Sequence, residues 1–189
     1  MFFAHDTEVS LATTAALVNT LPGASHSGED ELSTTAQLTE FLDRFEFTGS
    51  RTGDPNELDE MRALRGRLRG LWTRDEDGVV ELVNELLREA HALPQLVKHD
   101  TWDWHMHATQ PSASVARRAQ VEAAMAMVDV VRVKELERLH ECAADDCTAV
   151  VVDLSRNRSK RYCDVGNCGN RMHVAAYRAR QRGDGEKAS

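Results

Sequence analysis

Four cysteines, Cys142, Cys147, Cys163 and Cys168, constrain this chain more than any other feature. They form two pairs, CAADDC and CDVGNC, with fifteen residues between them, and no other cysteine occurs. Two short-spaced pairs deliver two thiolates each from two tight turns, the donor set that zinc takes in closed tetrahedral sites. Gly166 and Gly169 offer the positive backbone angles that such knuckles use around sulfur. The spacing therefore predicts one structural zinc ion per chain, held by all four cysteines. Buried free thiols and disulfides are the alternatives. The N-terminus, MFFAHDTEVS, carries acids where a signal peptide starts basic, so a reducing cytoplasm is expected, and it favours metal. Four thiolates leave no position for a catalytic water, which argues against a hydrolytic zinc enzyme or a deaminase.

The surroundings of the cysteines read as a small basic module. Ala149–Asp153 is a β-branched strand, SRNRSKR a basic turn, and NRMHVAAYRARQR a helix after Cys168. Knuckle, strand, turn, knuckle and helix is the order of a treble-clef finger. Between Leu154 and Arg182 eight basic residues face one acid, Asp164, so this stretch carries +7 while the chain as a whole carries −8. An acidic body with a basic tool is the expectation.

Before the cysteines, hydrophobic periodicity predicts four amphipathic helices. The first spans about Thr7 to Leu21, stopped by Pro22 and Gly23. A second follows Thr34, which has capping-box spacing to Gln37. The third opens on Asp54 and Pro55 and runs to Arg74; Gly78 separates it from a fourth that presents Val79, Leu82, Val83 and Leu86. After Pro94 the period changes to two: Trp102, Trp104, Met106 and Ala108 alternate with Thr101, Asp103, His105 and His107, a hairpin signature. A long helix from about Ala113 to Glu141 is then expected to lead directly into Cys142. No apolar run approaches the ~18 residues of a membrane span. The fold class expected is α+β: a mostly helical body with a small antiparallel hairpin over residues 1–139, a zinc finger over 140–182 and a polar, disordered tail over 183–189. Body and finger are expected to bury separate cores.

Cys168-Gly169-Asn170-Arg171 spells the signature of the CGNR zinc fingers, and the approach through an apolar strand ending in Asp153 and then SRNRSKRYC fits as well. The finger resembles that family over about Leu139 to Arg182. The body resembles the ABATE domain that accompanies such fingers, through Leu17-Val18-Asn19-Thr20-Leu21 and Arg62-Ala63-Leu64-Arg65. This resemblance implies a bacterial stress-response transcription regulator, with a treble-clef finger that binds DNA and a body that senses an effector. Val151 stands at a position that is often aromatic in such fingers.

Double-stranded DNA is accordingly the expected partner, contacted by Arg156, Arg158, Lys160, Arg161, Asn170, Arg171, Arg178 and Arg182. The opposing reading is that these cations balance the zinc–tetrathiolate charge and otherwise sit in water. Eight bases exceed that need. A single finger offers few base contacts, which suggests a homodimer. A protein-binding adaptor and a redox-responsive zinc switch are the alternatives from other classes. Polar residues inside helical segments, such as Asn19 and Arg65, are mostly exposed or tie helices together; because both fall in the ABATE-like motifs, they are candidates for lining a small-ligand pocket. His105 and His107 share a strand face with Asp103 and could form a metal or acid–base site, or only a polar sheet face. No phosphate-binding loop or nucleophile elbow appears, so no enzymatic activity is expected.

Overall fold

A computed structural model describes residues 3–98, 104–110 and 112–186, with side chains to residue 181. The body opens with α1 (His5–Val18), α2 (Thr35–Arg44) and α3 (Pro55–Leu68). Local chemistry explains their starts. Thr34 accepts from the Gln37 amide while the Gln37 side chain accepts from the Thr34 amide, closing the capping box. Asp54 accepts from the Glu57 amide at 2.8 Å, and Glu57 returns two bonds to the Thr52 and Gly53 amides. The long third helix breaks after Leu68, and a single turn, α4 (Gly70–Thr73), carries Leu71 and Trp72 inward. At Gly70 a Cβ would stand 3.0 Å from the end of the Leu82 side chain, so any larger residue would have to push Leu82 of α5 (Glu76–Glu89) aside. Gly78 lies within the first turn of α5, and its amide bonds the N-cap Asp75; it does not separate the helices.

Strands β1 (Gln95–Val97) and β2 (His105–His107) pair antiparallel, with Leu96 opposite Met106. Thr101, Trp102 and Asp103, expected in this hairpin, lie outside the described residues. The alternation fixes two faces, and the structure shows which of them turns inward. Trp104 is 67 % and Met106 41 % exposed, while His105 and His107 turn half-buried toward the body.

Helix α6 (Val115–Arg132) is the hub of the body and packs on α5, α1 and α3. It stops far short of the expected Glu141. A 3-10 turn at Leu136–Arg138 follows, and then β3 (Leu139–Glu141) pairs antiparallel with β4 (Val150–Val152). The stop is a Schellman motif: the Lys134 amide bonds Val131 O, the Glu135 amide bonds Val130 O, and Lys134 adopts φ 58°. Helices α2 and α5 end identically, with Glu46 (φ 51°) and His91 (φ 49°) in the left-handed position. Glycine is the usual residue there, so its absence hid all three ends from the sequence. The last element, α7 (Cys168–Glu186), leaves the body after its first turn.

The expectation of two separate cores is not met. Val150 and Val152 of β4 belong to the main helical core, with Leu139 beside them. Val151 packs with the cysteines, Ala144, Ala149 and Ala24. The Asn19 side chain donates to Val150 O at 2.9 Å and accepts from Val150 N at 2.7 Å, as a neighbouring strand would. The Trp72 indole donates to Val151 O at 2.9 Å.

Replacing Lys134 with Gly should stabilise the chain by about 0.5–1 kcal/mol, because glycine adopts the left-handed conformation without Cβ strain. Chemical denaturation of the two proteins measures this directly; Lys134→Ala should give no such gain.

Candidate metal centre and nucleic-acid interface

Each cysteine is placed by an element that the sequence can be read to build. Cys142 follows β3 and its amide donates to Ala149 O at 2.8 Å, closing the β-turn that carries Cys147. Cys168 opens α7. All four sulfurs lie within 4.8 Å of one another. Cys147 and Cys163 are 3.7 Å apart and Cys163 and Cys168 3.6 Å. Zinc–sulfur bonds of about 2.3 Å in a tetrahedron give sulfur–sulfur edges of about 3.8 Å. The four cysteines are thus positioned to bind one metal ion, and their chemistry is that of a structural zinc. The Cys163 amide also points at the Cys142 sulfur, at 3.3 Å.

The backbone of the second knuckle differs in detail from expectation. Neither Gly166 nor Gly169 has positive φ; Asn167 does, at 50°. Gly166 serves by size, since a Cβ there would crowd the Cys168 sulfur at 3.3 Å.

Arg171 of the CGNR run grips both sides of the centre. It makes a two-pronged ion pair with Asp146 of the first knuckle, at 2.6 and 3.1 Å, and donates to the Cys168 sulfur at 3.1 Å. Burial pushes the Cys147 thiol up to about 12 and raises Cys163 too. Burial acts the same way on Cys168, but the Arg171 guanidinium and the neighbouring thiols outweigh it and hold that thiol below its ordinary value. Cys168 therefore ionises ahead of Cys147 and Cys163, and loading a metal must release protons.

The basic residues divide into two groups. Arg158 pairs with Glu135 at 2.6 Å and Glu137 at 3.2 Å, Lys160 pairs with Asp164 at 2.6 Å, and Arg171 pairs with Asp146. By contrast, Arg156, Arg161, Arg178 and Arg180 are exposed and form no ion pair among the described residues. Arg161 lies over the Tyr162 ring at 5.9 Å. Asn170 bonds Asn167 at 2.7 Å. Arg182 lies on α7 beyond the described side chains.

Residues not singled out in the sequence hold the basic turn in shape. Buried Asp153 accepts from the Ser155 amide at 2.8 Å and the Lys160 amide at 2.9 Å, closing the loop between them. Arg138, fully enclosed, donates to Asp153 O and Ser155 O and pairs with Glu135 at 2.8 Å. An aspartate followed two positions later by serine is a turn signal that could have revealed the first of these.

Asn19 and Arg65 act as ties. Asn19 uses its amide on Val150, as described above. Arg65 donates to Thr20 O and Thr20 Oγ1 and makes a two-pronged pair with Asp30 at 2.7 and 2.9 Å. The Arg65 hydrogen bonds are the main reason the Asp30 carboxyl falls to about 2. His105 and His107 approach each other at Nε2, 3.1 Å apart, beside a small cavity that also meets Glu122 of α6. Glu122 is exposed at the rim of this cavity, and the protein packed around it raises its carboxyl above the ordinary value, against the partial opposition of Arg118.

Because β4 belongs to both cores, Cys163→Ser or removal of the metal should lower the melting temperature of the whole chain. Loss of near-ultraviolet signal from Trp72 together with the helical signal would show this; an unchanged body with a melted finger would refute it. The Asp30 carboxyl is depressed, so its contribution is present above pH 3.8 and lost as pH falls through about 2. Asp30→Asn should therefore cost about 2 kcal/mol at pH 7, with the difference from the parent shrinking below pH 4 in acid titrations of stability.

Residues 11–134 match the ABATE family, described as "Putative stress-induced transcription regulator", and residues 138–181 match the CGNR zinc finger. A search of curated proteins returns no relative. No helix among the described residues is long and apolar enough to cross a membrane.

Proposed function

The chain belongs to the ABATE family and carries a CGNR zinc finger, and on that premise we propose that it regulates transcription by binding duplex DNA through the finger. The observation that carries this reading is the set of four exposed cations, Arg156, Arg161, Arg178 and Arg180, that form no ion pair among the described residues, on the basic turn and the projecting helix. Paired Arg158, Lys160 and Arg171 shape the finger; these four are available to phosphate. Helix α7 stands clear of the body, so a groove can receive it without rearrangement. No catalytic step is assigned to the chain, since four thiolates complete the metal's coordination. A reducing cytoplasm is the compartment this chemistry fits.

The body's role in this proposal is to receive a small effector. A cleft of ≈ 770 Å3 lies between α1, α2 and β4, floored by Ala12, Ala16, Phe41 and Leu154, with Arg44 at its edge. Ligand pockets commonly measure ~300–1,000 Å3. Asn19 borders this cleft, so an occupant would touch the residue that clips α1 to β4.

Exposed Val174 and Tyr177, one turn apart on α7, favour a second reading in which this helix docks a protein, a second copy of the chain included.

Counterion release gives a slope of about −0.9 in log affinity against log salt per phosphate neutralised, so four cations predict about −3 to −4. Arg161→Ala should flatten this by about one unit, while Arg158→Ala, already neutralised by Glu135, should change it by less than half a unit. Fluorescence anisotropy with the full zinc-loaded chain provides the test. Failure to bind any duplex at low salt would remove the DNA reading and leave the protein-docking one.

A further inference from the structure

His105 and His107 lie on the same face of β2, and that face turns toward the body. Their Nε2 atoms stand 3.1 Å apart, with ring centres at 4.8 Å and planes crossing at 72°. Two imidazole nitrogens held about 2.1 Å from one metal ion lie about 3.0 Å apart in octahedral and about 3.4 Å apart in tetrahedral geometry. The observed separation falls between these values. Exchanging the imidazole–imidazole hydrogen bond for a shared ion therefore keeps the separation of the two nitrogens, while the rings turn so that both lone pairs converge on the ion.

The surroundings favour a cation. The histidines border a cavity of ≈ 130 Å3 whose lining also includes Asp6, Glu46, Glu122 and Asp129. Asp129 is steadied by a 2.7 Å bond from Thr7. Among the described residues no arginine or lysine lines this cavity. Its volume is that of about four waters, at ~30 Å3 each, and is well below the ~300 Å3 at which organic ligands begin to fit. A partly hydrated ion matches both the size and the charge.

We propose that the body holds a second metal site, in which His105 and His107 bind one divalent transition-metal ion of the zinc, copper and nickel class through Nε2. The carboxylates of the cavity offset its charge, and water completes the coordination. Two imidazoles with oxygen donors suit this group of ions, whereas calcium and magnesium would need an all-oxygen cage. Among the described residues only the four cysteines form a preassembled cluster of three or more ligand atoms, so the histidine site is the weaker and more exchangeable of the two. The proposal does not depend on DNA binding, and its test reads metal alone.

The probe is Ni2+, added to tag-free, full-length protein whose cysteines are already loaded with zinc. Calorimetry should show one Ni2+ bound per chain with the zinc content unchanged. Paramagnetic broadening should centre on the amides of residues 105–107 and the facing turn of α6. His105→Gln and His107→Gln should each weaken Ni2+ binding at least tenfold, and Glu122→Gln should weaken it several-fold. His140→Gln, on β3 and remote from the cavity, should change nothing. Absence of Ni2+ binding, equal binding by the double His105→Gln/His107→Gln variant, or broadening centred on another histidine would each overturn the site. If the variants fail to fold, the broadening pattern in the unaltered protein decides alone.

Discussion

Strand β4 is the constraint on which the rest of the structure depends. Its three valines are all buried, two against the helices and one against the thiols, so the strand has no face left for water. A strand enclosed on both faces must satisfy its backbone groups from within the protein. Strand β3 serves one edge, and Asn19 stands in for a missing strand on the other. Trp72 takes the second lone pair of Val151 O. Helix α1, the short α4 turn and the 3-10 turn before β3 are thereby fixed relative to the metal centre. The thiols depend on the helices for their position, and the helical core depends on the thiol-bearing segment for two of its valines.

This mutual dependence explains what could and could not be read from the chain. Interactions closed within a few residues were legible: the Thr34–Gln37 box, the Asp54–Pro55 start, the cysteine spacing and the order of elements around it. Interactions closed through space were not. Asn19 and Val150 are 131 positions apart, and nothing local to either announces their bond. The helix ends at Glu46, His91 and Lys134 were hidden for a different reason, because side-chain identity there opposes the conformation that tertiary packing imposes. The hairpin's alternation was legible and is seen at His105–His107, but which face turns inward was not legible. Alternation alone cannot say which face turns inward when the inner face serves a polar cavity. Asn19 and Arg65 stand out in the sequence as polar residues inside helical segments, and the structure shows them tying elements together.

Charge on the finger is distributed by the same logic of closure. Three of its cations meet acids supplied by neighbouring turns, and those pairs have structural work: Asp146–Arg171 joins the two knuckles, and Glu135 links Arg138 of the core to Arg158 of the basic turn. Simple counting between Leu154 and Arg182 therefore overstates the positive field. What remains is a smaller set of exposed cations on the basic turn and along α7. A field of this form is short-ranged at physiological salt, where the Debye length is ≈ 8 Å. It acts when the finger touches its partner and contributes little to long-range steering, which suits a molecule whose net charge is −8.

The two metal environments differ in what the loss of an ion would do. Four thiolates bind zinc in the soft, closed manner of a folding element, and the segment they organise is part of the main core. An ion whose departure unfolds the chain is poorly suited to report its own concentration, because the protein would not survive the reading. The histidine pair lies on a two-stranded hairpin that shares no valine with the main core. Its donors are harder and fewer, so it fills only after the thiolates are satisfied and empties first. Of the two, only a site with that ordering can vary its occupancy while the fold persists, and it lies beside α1 and α6, the helices that frame the rest of the body.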